Sequence, residues 1–495
     1  MKNMTRSAVI LGCLLPAFLA SQEMHDHPPP EKLGTVSFAT SCKPETNQEF
    51  NRAVALLHSF AYKAAEEVFQ RVTQQDPQCA IAHWGIAMTH YHPLWEPVLP
   101  PAGIAAAQQE INRAATLEEA SERERGFIRA LSLIFNDAAT IPYSARALNY
   151  ERAMRDLAAA NPRDVETQVF YALALISNAS PSDKEHRRQK QAADLLEPLY
   201  IRFPDHPGIP HYLIHACDNQ ELASRGLAAA RAYSKIAPSA PHALHMPSHI
   251  FTRLGLWDDS IASNLAARAA AEQQGDTGEE VHAMDYLVYA YLQSGRDQQA
   301  ARVIEQLKAM PNLDMADFKI GYAATAMPIR YIVERQQWSD AEKIVNPPDS
   351  AQPHVLAIAV WARGLGFARS GHIPQAEKES ATLQLLEDRL RASGNDYWAT
   401  QVDIMRREVA AWSAQAANQP DRAAAILRTA ADDEDGIEKL PVTPGPIIPA
   451  RQQLGELLLR QGDLASASRA FQTALENAPG RRGALQGAAL AAHSH

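Results

Sequence analysis

Five closely spaced histidines have the side-chain type and the spacing of a metal site. His211 and His215 are four residues apart, His245 and His249 repeat this spacing 34 residues later, and His242 precedes the second pair. Residues at i and i+4 lie on the same face of an α-helix, so each pair directs two imidazoles to one place. Such nitrogen ligands suit Zn, Cu, Fe or Mn, whereas Ca and Mg prefer oxygen. The pattern predicts a transition-metal site.

The 34-residue step also indicates which elements position these histidines. Pro207 and Pro241, each four residues ahead of a pair, keep the same step. A repeat of this length is typical of helix-turn-helix units, and in stacked units equivalent positions lie side by side. From Phe50 onward apolar residues recur with a helical period, and no segment shows sustained strand-like alternation. The sequence therefore predicts an all-α array in which the two histidine pairs converge.

The last repeat shows the frame of this array most clearly. Small and apolar residues occur there at the spacing of the tetratricopeptide repeat (TPR) consensus, at Leu454, Gly455, Leu458, Gly462, Ala467, Phe471, Ala474 and Pro479. The chain thus resembles TPR proteins over nearly its whole mature length, with strong matches near both ends and weaker ones between. The resemblance implies an all-α fold of eight to ten TPR-like hairpins in a right-handed α-solenoid.

The resemblance also assigns the histidines to one surface. In TPR proteins, positions 2, 5, 9, 12 and 13 of the first helix of each repeat face the concave groove. With Gly255 and Gly295 as the glycines that end two such helices, three successive repeats place polar residues there. We predict metal ligands among His211, His215, His242, His245, His249, His282 and Asp285, with Asp218, Asn219 and Tyr289 in the surrounding shell.

This set contains more imidazoles than one tetrahedral ion needs. Either the groove holds two ions, or some histidines do acid-base or outer-shell work, with Asp218 or Asp285 orienting a ligand imidazole. Tyr212 occupies the place of the glutamate in the HExxH motif, so the pattern does not predict a zincin-type protease. If the site is catalytic, Zn or Mn would favour hydrolysis by an activated water, and Cu or Fe would favour oxygen chemistry.

The N-terminus indicates export. Residues 1–21 read as a secretory signal peptide, because Lys2 and Arg6 precede an apolar run that ends in small residues. The segments His206–Asp218 and Ala240–Phe251 are similar to those of a group of large, exported bacterial TPR proteins. This second resemblance implies fold and export but no particular reaction. We expect a periplasmic or extracellular location.

Composition limits the partners of the chain. Its 495 residues carry a formal net charge of −10 with no basic tract, so nucleic acid is not an expected partner. Beyond the signal peptide, no stretch approaches the ~20 apolar residues that a membrane-spanning helix needs. The competing hypothesis to a metal site is a TPR adaptor that binds a peptide, protein or small molecule in the concave groove, with histidines as pH-sensitive contacts.

The chain divides into six predicted segments. They are a signal peptide at 1–21, a flexible leader at 22–45, a TPR array with the histidine-rich groove at 46–310, a degenerate TPR-like array at 311–435, a Pro-rich loop at 436–449, and a terminal TPR with its tail at 450–495. The Pro-rich loop is either a linker before the last repeat or a lid over the concave face.

Three cysteines remain after the signal peptide. Cys42 and Cys79 flank the first predicted hairpin, and a disulfide between them would leave Cys217 free. The alternative is that all three are small buried apolar residues. The sequence does not decide between these two arrangements.

Overall fold

The computed structural model describes residues 31–94 and 100–493. Within these two ranges the chain forms α-helices and no β-strand, which confirms the predicted all-α class. No helix of the described residues combines the length and the apolar character that a membrane crossing requires. The predicted signal peptide at 1–21, and the first part of the predicted leader at 22–30, lie outside the described residues.

Twenty-four α-helices follow one another along the described chain. In order they are α1 (Asn47–His58), α2 (Tyr62–Gln75), α3 (Ala80–Met88), α4 (Pro101–Thr116), α5 (Glu122–Phe135), α6 (Tyr143–Ala160), α7 (Val165–Ser177), α8 (Arg187–Arg202), α9 (Gly208–Cys217), α10 (Ala223–Ile236), α11 (Pro241–His245), α12 (Pro247–Arg253), α13 (Trp257–Gln274), α14 (Thr277–Gln293), α15 (Asp297–Ala309), α16 (Phe318–Glu334), α17 (Trp338–Ala341), α18 (Pro353–Ser370), α19 (Ile373–Ala392), α20 (Asp396–Ala416), α21 (Pro420–Asp435), α22 (Ala450–Arg460), α23 (Leu464–Asn477) and α24 (Arg482–His493).

These helices pair into hairpins that stack as a TPR-like α-solenoid. Each helix packs against the next one, and the first helix of a hairpin also packs against the first helix of the following hairpin, as α14 does against α16. Apolar side chains between the stacked helices form the core. Counting α11 with α12 as one broken first helix, the described residues contain eleven hairpins and a closing helix, α24. The expected eight to ten hairpins were too few, because several central repeats lack the consensus glycines.

A common turn ends the first helix of most hairpins. Gly255 has a φ of +68°, and a Cβ there would lie 2.5 Å from the carbonyl oxygen of Pro479, so both its conformation and its neighbour require glycine. The following residue, Leu256, donates its backbone N–H to Phe251, which closes the helix end. The same left-handed conformation recurs at the equivalent positions Phe60, Gly295, Gln336, Gly371, Asn418 and Gly462.

The described part of the predicted leader is packed rather than flexible. Leu33, Val36 and Phe38 are buried, and the Phe38 ring contacts the ring of Phe50 at 5.2 Å. The backbone N–H of Thr35 donates to Asp205 at 2.8 Å. The prediction of a flexible leader is therefore wrong for residues 33–42, because Leu33, Val36, Phe38 and Cys42 pack into the core beside the first hairpins.

A disulfide closes the first hairpin. Cys42 and Cys79 are bonded, and Cys217 is buried without a disulfide. Of the two cysteine arrangements compatible with the sequence, the structure has the bridged one.

The last repeat returns to the middle of the array. The Trp257 indole N–H donates to the carbonyl of Gly480 at 3.2 Å, and Arg482 forms an ion pair with Asp297 at 2.6 Å. Arg481, fully buried, pairs with Glu334 at 2.5 Å. The start of the closing helix α24 thus contacts helices several repeats earlier, in the interior of the solenoid.

Residues 436–449, which we call the strap, cross this interior without helical structure. Glu438 pairs with Lys184 at 2.7 Å at one end, and the carbonyl of Ile447 accepts a bond from Arg481 at 3.0 Å at the other. Between them, the Tyr286 hydroxyl lies 3.2 Å and 3.1 Å from the carbonyl oxygens of Pro441 and Thr443. Arg330 of α16 also donates to the carbonyl of Pro446, and Tyr397 of α20 accepts the backbone N–H of Leu440. The strap therefore lies against the first helices of three hairpins, which corresponds to a lid over the concave face rather than a simple linker.

Candidate metal centre

The six predicted ligand histidines lie together inside the solenoid. They form two groups, cluster A (His211, His215 and His242) and cluster B (His245, His249 and His282), and in each group the candidate ligand atoms lie within 4.8 Å of one another. None of the six residues is more than 6% exposed. Cluster A combines α9 with α11, and cluster B combines α11, α12 and α14. Stacked repeats therefore bring the histidines together as the 34-residue step predicts.

A proline divides the helix that carries three of these ligands. Pro247 has no N–H to donate, and the segment separates into α11 and α12 at Met246. Met246 nevertheless keeps right-handed helical angles, with φ −52° and ψ −36°. His245 and His249 therefore remain on one face, with their Nε2 atoms 3.0 Å apart.

A buried carboxylate orients His249. Asp218 accepts hydrogen bonds from Arg253 Nε at 2.9 Å and from Lys439 Nζ at 2.8 Å, and both of these cations can only donate. The same carboxylate lies 2.9 Å from His249 Nδ1, which therefore carries the imidazole proton and donates it. A neutral His249 consequently has its lone pair on Nε2. Asp218 thus has the orienting role predicted for either Asp218 or Asp285.

An amide orients His245 in the same way. Asn264 donates its Nδ2–H to the carbonyl of Ser260 at 2.8 Å, which turns its Oδ1 towards His245. His245 Nδ1 lies 2.6 Å from that oxygen and must donate to it. A neutral His245 therefore also has its lone pair on Nε2.

Cluster B consequently has two lone pairs facing each other. Both Nδ1 protons are committed to acceptors, so the Nε2 atoms of His245 and His249, 3.0 Å apart, have no proton to share between two neutral rings. Two nitrogens bound 2.0–2.1 Å from one tetrahedral ion lie about 3.3 Å from each other. The observed separation is close to this value, so a single ion would meet both lone pairs. His282 brings a third imidazole, with its ring centroid 4.3 Å from that of His245.

Cluster A differs in one respect. His211 donates Nδ1–H to the carbonyl of His58 at 2.6 Å, and His242 Nδ1 lies 3.2 Å from the Glu279 carboxylate. The Nε2 atoms of His211 and His215 are 3.1 Å apart, but His215 Nδ1 is buried without a hydrogen-bond partner. A proton on His215 Nε2 is therefore compatible with this pair, so cluster A is not forced into a lone-pair conflict.

Burial keeps most of these rings neutral. It lowers the pKa of His211, His215, His245 and His282 well below the usual value for histidine. It also lowers the pKa of His249 to about 4, although the hydrogen bond and charge of Asp218 act in the opposite direction. At neutral pH these imidazoles therefore offer lone pairs rather than protons.

The two orienting carboxylates remain ionised. Burial raises the pKa of Asp218 and of Glu279, but neighbouring cations outweigh it. Lys439 and Arg253 hold the pKa of Asp218 well below its usual range, and Lys319 does the same for Glu279. Both side chains therefore act as hydrogen-bond acceptors for histidine.

Aromatic side chains lie against each cluster. The Phe60 ring contacts His211 and His242 of cluster A, with centroid separations of 4.4 and 5.4 Å. The Tyr286 ring contacts His245 and His249 of cluster B, at 4.7 and 5.1 Å. These rings help to bury both clusters.

Three residues of the predicted set do not join the clusters. Asp285 lies on α14 but approaches Arg330, at 3.5 Å, and belongs to neither histidine group. Asn219 accepts the backbone N–H of Leu222 at 3.0 Å, just before α10 begins. Tyr289 accepts a hydrogen bond from Arg481 at 3.3 Å. The Asp285 and Tyr289 side chains each meet an arginine from a distant part of the chain, which position in the repeat does not specify. The Asn219 side chain bonds within its own turn instead.

Several residues that orient or cover the histidines were not predicted, among them His58, Phe60, Asn264 and Glu279. Only Glu279 had a local signal, because it precedes His282 by three residues on the same helix face. His58 and Phe60 come from a hairpin more than 140 residues earlier in the chain. Their contact with cluster A depends on tertiary packing.

A third histidine group is fully satisfied by protein atoms. Glu166 accepts from His58 Nε2 and from His206 Nε2, both at 2.9 Å. Tyr212 donates to His58 Nδ1 at 3.0 Å, and the Gly208 N–H donates to His206 Nδ1 at 3.2 Å. Every ring nitrogen of this group has a protein partner, so it needs no metal.

A cavity of about 150 Å³ lies beside the strap. Its walls include Tyr289, Trp361, Tyr397 and Trp398, together with Lys439 of the strap. Because Lys439 also binds Asp218, the cavity adjoins the outer shell of cluster B. A small molecule in it would lie near that shell.

Comparisons with known proteins give only a coarse likeness. No protein-family model and no curated protein matches this chain. Similar solved structures include the human IFIT1 dimer with m7Gppp-AAAA, which is 10% identical, with 84% of this chain and 90% of that chain covered and a TM-score of 0.37. The P58(IPK) TPR domain is 12% identical, with 90% and 97% covered and a TM-score of 0.23.

A third similar structure is Naa15/Naa10 bound to HypK-THB. It is 14% identical, with a TM-score of 0.26; the match covers 90% of this chain but spans only 60% of that one. All three TM-scores are below 0.5, so these likenesses assign no function. The TPR-like description rests on the hairpins and turns of the chain itself.

Proposed function

We propose that this protein is an exported, TPR-like metalloprotein that binds a transition-metal ion in cluster B. The observation that carries the proposal is the pair of Nε2 atoms of His245 and His249, 3.0 Å apart, whose Nδ1 protons are both committed elsewhere. An ion coordinated by both atoms, and by His282, removes this conflict between lone pairs. Asp218 then accepts the Nδ1–H hydrogen bond of the ligand His249, as outer-shell carboxylates do in metal sites.

A proton in place of the ion is the simplest competing explanation. It would make an imidazolium among five other buried imidazoles. Burial lowers the pKa of His245 well below the usual value for histidine and that of His249 to about 4, so a charged ring is disfavoured there. A shared proton would join only two of the three imidazoles, whereas one ion can bind His245, His249 and His282 together, which favours the ion.

The adaptor alternative has less support from the arrangement of the chain. The strap lies where a peptide would dock in an open TPR groove, and its residues Val442, Ile447 and Ile448 are buried. The cavity beside it, at about 150 Å³, is comparable to the engineered cavity that holds one benzene molecule. This is room for a small molecule, not for an extended peptide.

Metal analysis of the unmodified chain tests the proposal. The protein is produced without a histidine tag, stripped with a chelator, incubated with Zn(II) or with Cu(I) under anaerobic conditions, dialysed, and analysed for bound metal by mass spectrometry. We expect at least one equivalent for the parent protein. In the double variant His245→Asn/His249→Asn, each asparagine keeps a polar atom near the position of the former Nδ1 but has nothing in place of Nε2. This variant should lose the bound equivalent.

His354→Gln is a suitable control. His354 is buried, stacks on Trp398 at 4.4 Å, and belongs to neither cluster. The control should retain the metal of the parent. Equal metal content in the parent and in the double variant would refute the proposal.

Export is tested separately. When the chain is produced in a host that has the general secretion pathway, the exported protein should lack residues 1–21. The intact mass of protein from the periplasmic fraction reports this cleavage. A full-length chain confined to the cytoplasm would contradict the exported location without bearing on metal binding.

A further inference from the structure

Cluster A repeats the donor geometry of cluster B. Its His211 and His215 Nε2 atoms are 3.1 Å apart, against 3.0 Å for His245 and His249. His242 supplies the third imidazole, oriented through Nδ1 by Glu279 as Asp218 orients His249. Each cluster therefore has an i, i+4 histidine pair, a third histidine from another helix, and a carboxylate behind one ligand.

The two clusters are immediate neighbours. The short helix α11 contributes His242 to cluster A and His245 to cluster B, and their ring centroids are 6.1 Å apart. His215 and His249 also face each other across the boundary, at 5.9 Å. Within cluster A, the corresponding separation of His215 and His242 is 6.4 Å. The distance between two ions bound in the two clusters would thus be similar to the distance between these neighbouring rings.

The charges around the clusters restrict which ions are suitable. All six candidate ligands are imidazoles, which are neutral when they bind. The carboxylates behind them are already paired: Asp218 with Arg253 and Lys439, at 2.9 and 2.8 Å, and Glu279 with Lys319 at 2.8 Å. No unpaired carboxylate of these shells remains to balance the charge of the ions.

A low ionic charge is therefore favoured. At one separation, two divalent ions repel each other about four times as strongly as two monovalent ions, because the Coulomb energy follows the product of the charges. The cost of burying each ion in a low-dielectric interior rises with its charge as well. Copper is the transition metal in the expected set that has a stable monovalent state, and imidazole is a suitable ligand for it.

We propose that the six histidines form a dinuclear copper(I) centre, with one ion held by the three imidazoles of cluster A and one by those of cluster B. This inference rests on the proposed function, because it assumes that cluster B binds metal. It adds the second ion and the oxidation state. Cluster B should fill first, since a proton on His215 Nε2 satisfies the main pair of cluster A when that cluster is empty.

Copper stoichiometry tests this centre. Tag-free protein is titrated anaerobically with Cu(I) in the presence of a colorimetric Cu(I) chelator, and bound copper is measured after gel filtration. The parent should retain two equivalents in two steps of unequal affinity. His215→Gln should retain one, held with the affinity of the tighter step, because His215 is the ligand whose Nδ1 has no protein partner to lose. A tenfold excess of Zn(II) should not displace either copper ion.

The outcomes separate the two proposals. One copper ion in the parent, unchanged in His215→Gln but absent in His245→Asn/His249→Asn, overturns the dinuclear centre and leaves metal binding by cluster B intact. Displacement of copper by Zn(II) overturns the monovalent assignment. No retained metal of either kind overturns both proposals. Because the count in the parent needs no substitution, poor folding of a variant cannot obscure the result.

Discussion

Replacement of Asp218 by asparagine should weaken metal binding at cluster B by about 10- to 100-fold, the usual effect of losing an outer-shell partner. This corresponds to about 1.4–2.7 kcal/mol of binding free energy. Asp218 Oδ1 accepts from Arg253, and Oδ2 accepts from both His249 and Lys439. An amide has only one acceptor oxygen, so one of these sides would face an N–H₂ group. If it is the side of His249, the imidazole must move its proton to Nε2, where a metal ligand needs its lone pair.

Asp285→Asn is a matched control for this substitution. The Asp285 side chain is buried, 1% exposed against 5% for Asp218, and lies beside an arginine, Arg330, but it belongs to neither histidine cluster. Both variants remove one partner of a buried ion pair and should destabilise the fold by about 3–5 kcal/mol. A loss of affinity caused by general destabilisation would therefore occur in both proteins, whereas a loss caused by misorientation of His249 would occur only in Asp218→Asn.

The assay is a competition between the protein and a chromophoric chelator for Zn(II) or Cu(I) at pH 7.5, with circular dichroism confirming that each variant is folded. We expect a weaker first binding step in Asp218→Asn and an unchanged one in Asp285→Asn. Equal affinities in the parent and in Asp218→Asn would show that Asp218 does not orient a ligand. Equal losses in the two variants would refute the specific role of Asp218.

Four further perturbations test other parts of the structure. His206→Gln should retain the metal content of the parent, since His206 belongs to the group that protein atoms already satisfy; loss of metal would contradict that assignment. In denaturant unfolding, the free energy of unfolding of Phe60→Gly should exceed that of Phe60→Ala by about 1 kcal/mol, because φ is 54° at this position and only glycine adopts this angle without strain. The reverse order of the two variants would refute the backbone argument. Removing the Cys42–Cys79 disulfide by a double alanine substitution should cost about 2–4 kcal/mol in urea unfolding, and an unchanged midpoint would count against the bridge. Burial raises the pKa of Glu434 from 4.5 to about 8, so between these pH values the folded state binds more protons than the unfolded state, and the free energy of unfolding should fall as pH rises from about 5 to 8. Glu434→Gln still accepts the Ala450 N–H and should reduce this pH dependence. The same pH dependence in the parent and in the variant would refute the argument.

The periodic features of the chain were predictable because they are local. The 34-residue step between the histidine pairs fixes their relative position in stacked repeats, and Gly255, Gly295, Gly371 and Gly462 mark the ends of first helices. From these residues alone follow the helical class, the repeat type and the convergence of six imidazoles. The repeat count was less accurate, because Gln336 and Asn418 adopt the same turn without the consensus glycine.

Long-range contacts were not predictable in this way. Asp218 and Asp285 both occupy groove-facing positions in the repeat frame, and only the tertiary structure shows that Asp218 meets His249 while Asp285 meets Arg330. The strap residue Lys439 reaches Asp218 from 221 positions further along the chain. Such pairings depend on how the array closes on itself, and neither periodicity nor residue type encodes that closure locally.

The most direct test of the central claim is anomalous diffraction from crystals of tag-free protein soaked with Zn(II), or grown anaerobically with Cu(I), at the absorption edge of the metal. The account predicts an anomalous peak in cluster B, within coordination distance of the Nε2 atoms of His245 and His249, with His282 as a third ligand. Full-occupancy metal confined to surface residues, or metal-free clusters under both conditions, would contradict it.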